Sequence, residues 1–478
     1  MASKIFKNTR LLLFLIVLFG LILRLAFFSG MGTSDDLAYS RYAYNIKYGI
    51  EQNSSLTLST RLGIIYATAL SYRLFGVNDF SSVLFVLITS IGSIILIFYF
   101  GKLLFNDKVG LMTAFLLSFF PLDVVYSTKL LSDMPSAFFM ALGVYIFLYS
   151  EIRSKLGSIG YFLSGVFIGI GYLVRETSLL IALFFIVYIV YKRKIKKEYF
   201  LVPFGVLVIL AIEAFIFFGM TGDPLFRMHA SMEHLAEVII AHDYYGRLDF
   251  PAGLFHYPYL IVTNSLLSFF YIFIFIAIFY CIIYKKKEVY YMLFWFLALL
   301  LYLSFGSGSF TQYIPILAKD RYLSIITIPG ILLLAFFLIE KKSIIKKVVM
   351  PLTLILLVTT SIVFVYLRED RHLLDNLREL NTDLENSDKE VFIDDRSIKA
   401  LDYISEYNTK INLKEYPEDF ISIKDAYIVI NRKMIMNLKA ANKNRIFPEE
   451  ISNPPTKWLK VKEIGQNEEE KIIIYYIP

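Results

Sequence analysis

The chain has 478 residues, 57% hydrophobic and only 19% charged, with a mean hydropathy of +0.60. The apolar excess lies in long blocks before residue 367, which excludes a wholly soluble protein and points to a polytopic membrane protein with a soluble tail. One cysteine, Cys281, excludes an intrachain disulfide and a cysteine-based metal site, and the net charge of +7 reads as loop lysines and arginines rather than a nucleic-acid surface.

Apolar runs long enough to span a bilayer occur near 11–30, 80–100, 109–126, 133–150, 158–174, 177–191, 200–219, 258–284, 289–305, 321–339 and 348–367. The first is longer than a signal-peptide core and has no clear small-x-small cleavage site, so it reads as an uncleaved span. After it, "TSDD" ahead of "LAYSRYAYNIKYG" predicts a helix with Asp35 and Asp36 in its first turn. Residues 61–76, "RLGIIYATALSYRLFG", are too few and too polar on one side to span, and predict a helix at the interface.

Basic residues set the orientation. Lys4, Lys7 and Arg10, Lys102 and Lys108, Arg153 and Lys155, and the runs at 192–197, 285–287 and 341–347 occupy every second loop, which makes those loops cytoplasmic. The intervening loops hold Asp35 and Asp36, "SDMP" at 132–135, "RET" at 175–177, the segment 220–257 and "FTQYIPILAKDRY" at 310–322, and fall on the external face. An odd number of spans puts the tail outside as well. There, 370–386 has helical leucine spacing, 397–407 reads as a helix, and 390–395, 426–432 and 471–478 read as strands. The expected architecture is a transmembrane domain over 1–367, with about eleven spans and interfacial helices in its first external loop, and a small external α/β domain over 368–478.

The ionisable residues at the external helix ends are Asp35, Asp36, Arg61, Lys129, Asp133, Arg175, Glu176, Asp223, Arg227, His229, Lys319, Asp320 and Arg321. Charges at membrane depth are costly unless paired, hydrated or used. Neighbours on a helix point about 100° apart, so one of Asp35 and Asp36 can face a cavity while the other caps. Asp133, with Pro135 close behind, also suits a helix start, and Arg175-Glu176 suits a tight turn with a local ion pair. Lys319 and Arg321 precede an external span end, against the usual charge bias, and suit a lipid phosphate that takes a guanidinium fork and an ammonium point charge. Histidines 229, 234, 242 and 256 share one loop at spacings that match no strong metal motif, and Asn53-Ser54-Ser55 is a formal glycosylation sequon.

A first span carrying Arg24, then the acidic pair, then Tyr39 resembles the first external loop of GT-C glycosyltransferases. The closer likeness is to the protein O-mannosyltransferase and lipid A aminoarabinose transferase superfamily. The stretch from "RLGIIYATAL" at 61 to "SDMPSAFF" at 139, "GDPLFR" at 222–227 and "KDRYLSIITIPG" at 319–330 are similar to that family in order, and the likeness covers roughly 1–340. Two departures matter. Protein mannosyltransferases usually carry Asp-Glu where this chain has Asp-Asp, and a sugar-binding β-trefoil is missing. The resemblance implies an inverting transferase in the plasma membrane that moves a sugar from a dolichyl- or undecaprenyl-type polyprenyl phosphate to a glycan, lipid or protein acceptor hydroxyl. It further implies Asp35 or Asp36 as base, Lys319, Arg321 and Arg175 on the donor phosphate, and Asp133, Tyr39, Arg61 and Glu176 in acceptor or loop positioning. The family does not uniformly need a divalent metal, and none is assigned. A transporter or flippase of polar or lipid-linked solutes is the rival reading; it fits poorly with charges gathered at one face and with no apparent inverted repeat.

Overall fold

The computed structural model describes residues 8–50, 57–240, 251–267, 269–283, 287–308, 313–340, 344–368, 373–441, 445–465 and 467–478. Lys4, Lys7, the sequon at 53–55, His242 and parts of the basic runs at 285–287 and 341–347 lie outside the described residues.

Among the described residues seven helices are long and apolar enough to cross a membrane: α1 (Thr9–Ala26), α4 (Asp79–Leu104), α7 (Asp133–Arg153), α8 (Gly157–Val174), the segment Lys197–Thr221, α14 (Lys287–Phe305) and the segment Asp320–Glu340. They make this a multi-pass α-helical membrane protein. The other four predicted spans are also helical, three of them interrupted. The run 109–126 divides into α5 (Asp107–Phe119) and α6 (Pro121–Tyr126), because Pro121 brings no N–H to continue the first ladder and instead opens the second helix. The run 177–191 starts as a 3₁₀ turn, Glu176–Ile181, before α9 (Ala182–Lys192). The run 258–284 divides at Asn264 into α12 (His256–Thr263) and α13 (Phe270–Ile283), and the last run lies in α16 (Ile344–Tyr366). Ahead of α4, the first loop forms α2 (Asp35–Tyr48) and α3 (Leu62–Phe75).

The hub is α15 (Ser324–Glu340), buried along its length from Ser324 to Leu338. Elsewhere small residues let helices close up. A side chain on Gly165 of α8 would sit 1.9 Å from the carbonyl oxygen of Val202 in α10 (Leu201–Thr221), so glycine is required where those two backbones meet. The bundle has two polar ends. Asp133 opens α7, and Glu151, about 27 Å further along at 1.5 Å per residue, accepts hydrogen bonds from Tyr161, Tyr188, Tyr199 and Lys196, tying down the basic loop at 192–197.

A fully buried ion pair ties the bundle together near its first helix. Arg24 is fully buried, donates to Ser90 Oγ at 2.8 Å and to the Gly20 carbonyl at 3.0 Å, and pairs with Asp123, which also accepts from Ser90 at 2.7 Å. It pins the first helix to the α5–α6 break. Removing one partner of a buried pair leaves an uncompensated charge, so Arg24→Ala should cost about 3–5 kcal/mol of stability. The double variant Arg24→Met/Asp123→Leu should recover most of it, as read from thermal unfolding in detergent.

The tail forms a mixed five-stranded sheet in the order β2-β1-β3-β5-β4, with β1 (Glu390–Ile393), β2 (Asn412–Glu415), β3 (Ala426–Asn431), β4 (Leu459–Ile464) and β5 (Ile472–Ile477). β1 pairs in parallel with β2 and β3, while β5 runs antiparallel to β3 and β4. Helices α17 (Asp375–Leu384) and α18 (Asp395–Ile404) follow the expected pattern, and α19 (Arg432–Ala441) and α20 (Glu449–Ser452) complete the unit. The sheet unit rests on the first loop. Arg41 pairs with Asp402 at 2.6 Å, Tyr407 donates to Ser40 at 2.6 Å, and Asp79 takes Arg378 at 2.7 Å and Tyr403 at 2.9 Å. Leu37, Tyr39 and Ile64 share one buried cluster with Leu377, Leu401 and Tyr403. The helix that begins with the two aspartates is therefore held between the bundle and the sheet unit.

Candidate active site

Asp35 and Asp36 part ways at the start of α2. Asp36, 4% exposed, folds back on the loop before it and accepts N–H groups from Gly32, Ser34 and Leu37. A side chain at Gly32 would come within 2.6 Å of this carboxylate, so the two would have to move apart. Burial pushes the Asp36 carboxyl above its ordinary value, although the Ser34 and Gly32 N–H groups and the Lys129 charge pull the other way. Asp35 turns toward the bundle, where its Oδ2 lies 2.8 Å from Arg321 Nη2. Burial alone would raise the Asp35 carboxyl too, but the Arg321 guanidinium, with Arg61 and Arg175 behind it, outweighs burial and holds it below the ordinary value.

Arg321 stands on the 3₁₀ turn Asp320–Leu323 that leads into α15. Asp320 fixes this turn by accepting from the Arg321 N–H at 2.7 Å, Tyr126 at 2.7 Å and Asn264 at 3.2 Å. The other side of the Arg321 fork approaches Asp133 Oδ2, with Nε at 3.6 Å. Asp133 in turn binds Arg175 at 2.6 Å, and the Arg175 guanidinium lies over the Tyr322 ring at 4.6 Å. Ser132, the residue before α7, makes no side-chain cap. Its Oγ faces Arg61 at 3.3 Å, Tyr39 at 3.3 Å and Arg175 at 3.5 Å.

Arg175 and Glu176 do not pair with each other. Arg175 is extended and Glu176 opens a 3₁₀ turn, so the neighbouring side chains leave in different directions. Glu176 binds Arg61 at 3.2 Å, and Arg227 Nη2 approaches it at 3.9 Å. Burial would raise the Glu176 carboxyl, but Arg61, Arg227 and Arg175 bring it down to about 2. Arg61 also donates to Tyr39. Arg227 stacks on Tyr172 at 4.0 Å and pairs at 2.6 Å with Glu213, inside the apolar helix α10.

Four guanidiniums (Arg61, Arg175, Arg227 and Arg321) thus alternate with four carboxylates (Asp35, Asp133, Glu176 and Glu213) at one end of the bundle. Lys319 is exposed beside this array and has no ion-pair partner among the described residues. Of the sequence-derived candidates, Asp35, Asp133, Arg175 and Arg321 form one contact chain. Tyr39, Arg61 and Glu176 join it through Ser132, whereas Asp36 faces its own loop. His229 bonds to Asp223 at 2.7 Å, and no three His, Cys, Asp or Glu side chains converge as a ligand set among the described residues. Glu213 is absent from the candidates drawn from sequence, though a lone glutamate within "VLVILAIEAFIFF" is the kind of intramembrane charge that signals a partner.

A cavity of about 180 Å³ opens beside the array, between Asp133, Glu176 and Thr177 on one side and Tyr302, Tyr322 and Ser324 on the other. Asp133 Oδ2 and Ser324 Oγ are buried with no hydrogen-bond partner among the described residues.

Residues 62–218 match the family described as dolichyl-phosphate-mannose-protein mannosyltransferase. No curated protein sequence matches. Among solved structures, apo ArnT from Cupriavidus metallidurans is similar over 96% of this chain and 97% of its own, at 12% identity and a TM-score of 0.64. The same protein bound to undecaprenyl phosphate gives a TM-score of 0.58 at 12% identity, with the same coverage. The Archaeoglobus fulgidus oligosaccharyltransferase AglB, in complex with an inhibitory peptide and a dolichol-phosphate, is similar over 98% of this chain and 76% of its own, at 11% identity and a TM-score of 0.61. The chain shares the GT-C fold of these structures.

Proposed function

We propose that this protein is an integral-membrane, inverting glycosyltransferase that moves a sugar from a polyprenyl phosphate to an acceptor hydroxyl on the external membrane face. The observation that carries this reading is the Asp35–Arg321 contact, a carboxylate and a guanidinium 2.8 Å apart at the mouth of a GT-C bundle. An acceptor hydroxyl ionises far above neutral pH and needs a base within hydrogen-bond reach as it attacks. Asp35, held ionised, takes that proton while the hydroxyl oxygen bonds to the anomeric carbon and the bond from that carbon to the phosphate oxygen breaks. Attack opposite the leaving group inverts the centre. The departing lipid phosphate gathers charge, which Arg321 and Lys319 meet directly and Arg175 supports from behind Asp133. Tyr39, Arg61, Glu176 and Asp133 hold the loop that presents Asp35.

The matched family and the lipid phosphates bound to ArnT and AglB support the donor class. The basic loops support a cytoplasmic N-terminus in the plasma membrane, with the array and the unit over 368–478 outside. In that arrangement the sheet unit, docked on α2, is placed to present an acceptor to Asp35. Purified protein given a radiolabelled polyprenyl-phosphate sugar and a membrane glycolipid extract should release free polyprenyl phosphate and label an acceptor of inverted anomeric configuration. Solute flux in proteoliposomes without any sugar transfer would replace this reading with a transporter.

A further inference from the structure

The helices α1 and α4 are locked together at one end. A side chain on Gly20 would come within 2.7 Å of Ile94, and Arg24 donates to Ser90 at 2.8 Å. Toward their other, basic end a cleft of about 940 Å³ opens between the same two helices. Its wall is graded. Leu13, Phe14 and Val17 of α1 and Ile95, Phe98 and Tyr99 of α4 make it apolar, while Arg10, Lys102 and Asp107 line its end. At 1.5 Å per residue, Val17 and Ile95 lie about 10 Å deeper than Arg10 and Lys102. The buried residues of α1 are Gly20, Leu23 and Arg24, so from Thr9 to Phe19 no side chain of this helix is buried by the protein. Arg10 is exposed and has no ion-pair partner among the described residues. Lys102 binds Asp107 at 3.1 Å, and an ammonium with three donors can hold a second anion beside it. Asn8 already accepts from the Arg10 and Leu11 N–H groups, so the side chains rather than the helix end supply the positive charge.

A small soluble anion would use the cations and leave the apolar wall uncovered. A membrane helix from another chain would cover the wall but press hydrocarbon against Arg10 and Lys102, and charges at membrane depth are costly unless paired or hydrated. A molecule with an anionic head and hydrocarbon chains satisfies both ends. We infer that this cleft holds an anionic glycerophospholipid, its phosphate at Arg10 and Lys102 and its acyl chains along α1 and α4. The lipid completes the packing that the protein leaves open on the first half of α1. The orientation given by the basic loops turns this end toward the cytoplasm, where the leaflet carries anionic lipid. α1 runs from the cleft to the loop that leads to Asp35, so this lipid site lies at the other end of the bundle from Asp35 and Arg321 and is independent of the proposed reaction.

The test uses full-length protein in nanodiscs made of phosphatidylglycerol and phosphatidylcholine in equal amounts, with retained lipid counted by native mass spectrometry. Phosphatidylglycerol should be retained in preference. Arg10→Gln and Lys102→Gln should each weaken its retention by about fivefold and leave phosphatidylcholine unchanged. Arg10→Lys keeps the charge and should keep most of the retention. A phosphatidylglycerol with a photoreactive acyl chain should label the segments 13–17 and 95–99. Equal retention of the two lipids, unchanged retention in Arg10→Gln and Lys102→Gln, or labelling confined to other segments overturns the site. Retention that appears only once residues 1–7 are removed gives the cleft to the chain's own N-terminus and also overturns it. A dimer that Val17→Trp breaks gives the cleft to a second copy, with the same consequence.

Discussion

Asp35→Asn should lower kcat by about 10²–10⁴-fold, the range that a positioned general base contributes, without weakening the donor. The amide cannot take a proton from the acceptor, yet it keeps the shape of the carboxylate. It also releases Arg321 from its ion pair, so the affinity for polyprenyl phosphate should hold or improve. That split between kcat and donor binding separates a base from a residue that only shapes the loop. Asp36→Asn makes the contrast. Its carboxylate accepts from the N–H groups of Gly32, Ser34 and Leu37, and an amide retains one acceptor oxygen for them. The expected result is a lower melting temperature from a loss of about 1–3 kcal/mol, with kcat within about tenfold of wild type. Stopped-turnover assays and thermal unfolding on the same preparations decide it. A fully active Asp35→Asn beside a well-folded but inactive Asp36→Asn would exchange the two roles.

How far such a site can be read from sequence depends on which residues carry their own signal. The acidic pair and the cations at 319–321 stand out because they interrupt long apolar runs, and the 100° step of a helix already separates Asp35 from Asp36. Pairing does not follow from spacing. Arg175 and Glu176 look like a local ion pair, and each instead finds a partner from a distant element, Asp133 and Arg61. Arg24 and Asp123 lie in two predicted spans, but only the packed bundle brings them together. In the tail the inner strands β1, β3 and β5 are legible from apolar, β-branched runs. The edge strands β2, "NLKE", and β4, "LKVKEI", are not, because lysine and glutamate on an edge oppose further pairing and hide the strand pattern. Spans are hardest to read where a helix breaks inside an apolar run, as at Pro121 and Asn264, since hydropathy averages across the break.

Arg321→Gln should raise the KM for donor by at least about tenfold, the scale of a lost charge-assisted hydrogen bond, and should also move the acid limb of the kcat/KM profile to higher pH. The direction follows from the two partners of the guanidinium. In the ligand-free protein Arg321 stabilises ionised Asp35 and keeps its carboxyl below the ordinary value, so the base stays deprotonated well into acid. Without the guanidinium, burial dominates and raises the Asp35 carboxyl, so protonation silences the base at a pH where wild type still turns over. Arg321→Lys keeps the charge but not the fork; it should retain most of the acid tolerance while losing donor affinity. In the proposed reaction a donor phosphate arriving at Arg321 would compete with Asp35 for the same N–H groups and loosen the ion pair. The donor would thereby make Asp35 more basic just before the acceptor must give up its proton. An acid limb that does not move in Arg321→Gln, with donor KM unchanged, would remove Arg321 from both the phosphate site and the control of Asp35.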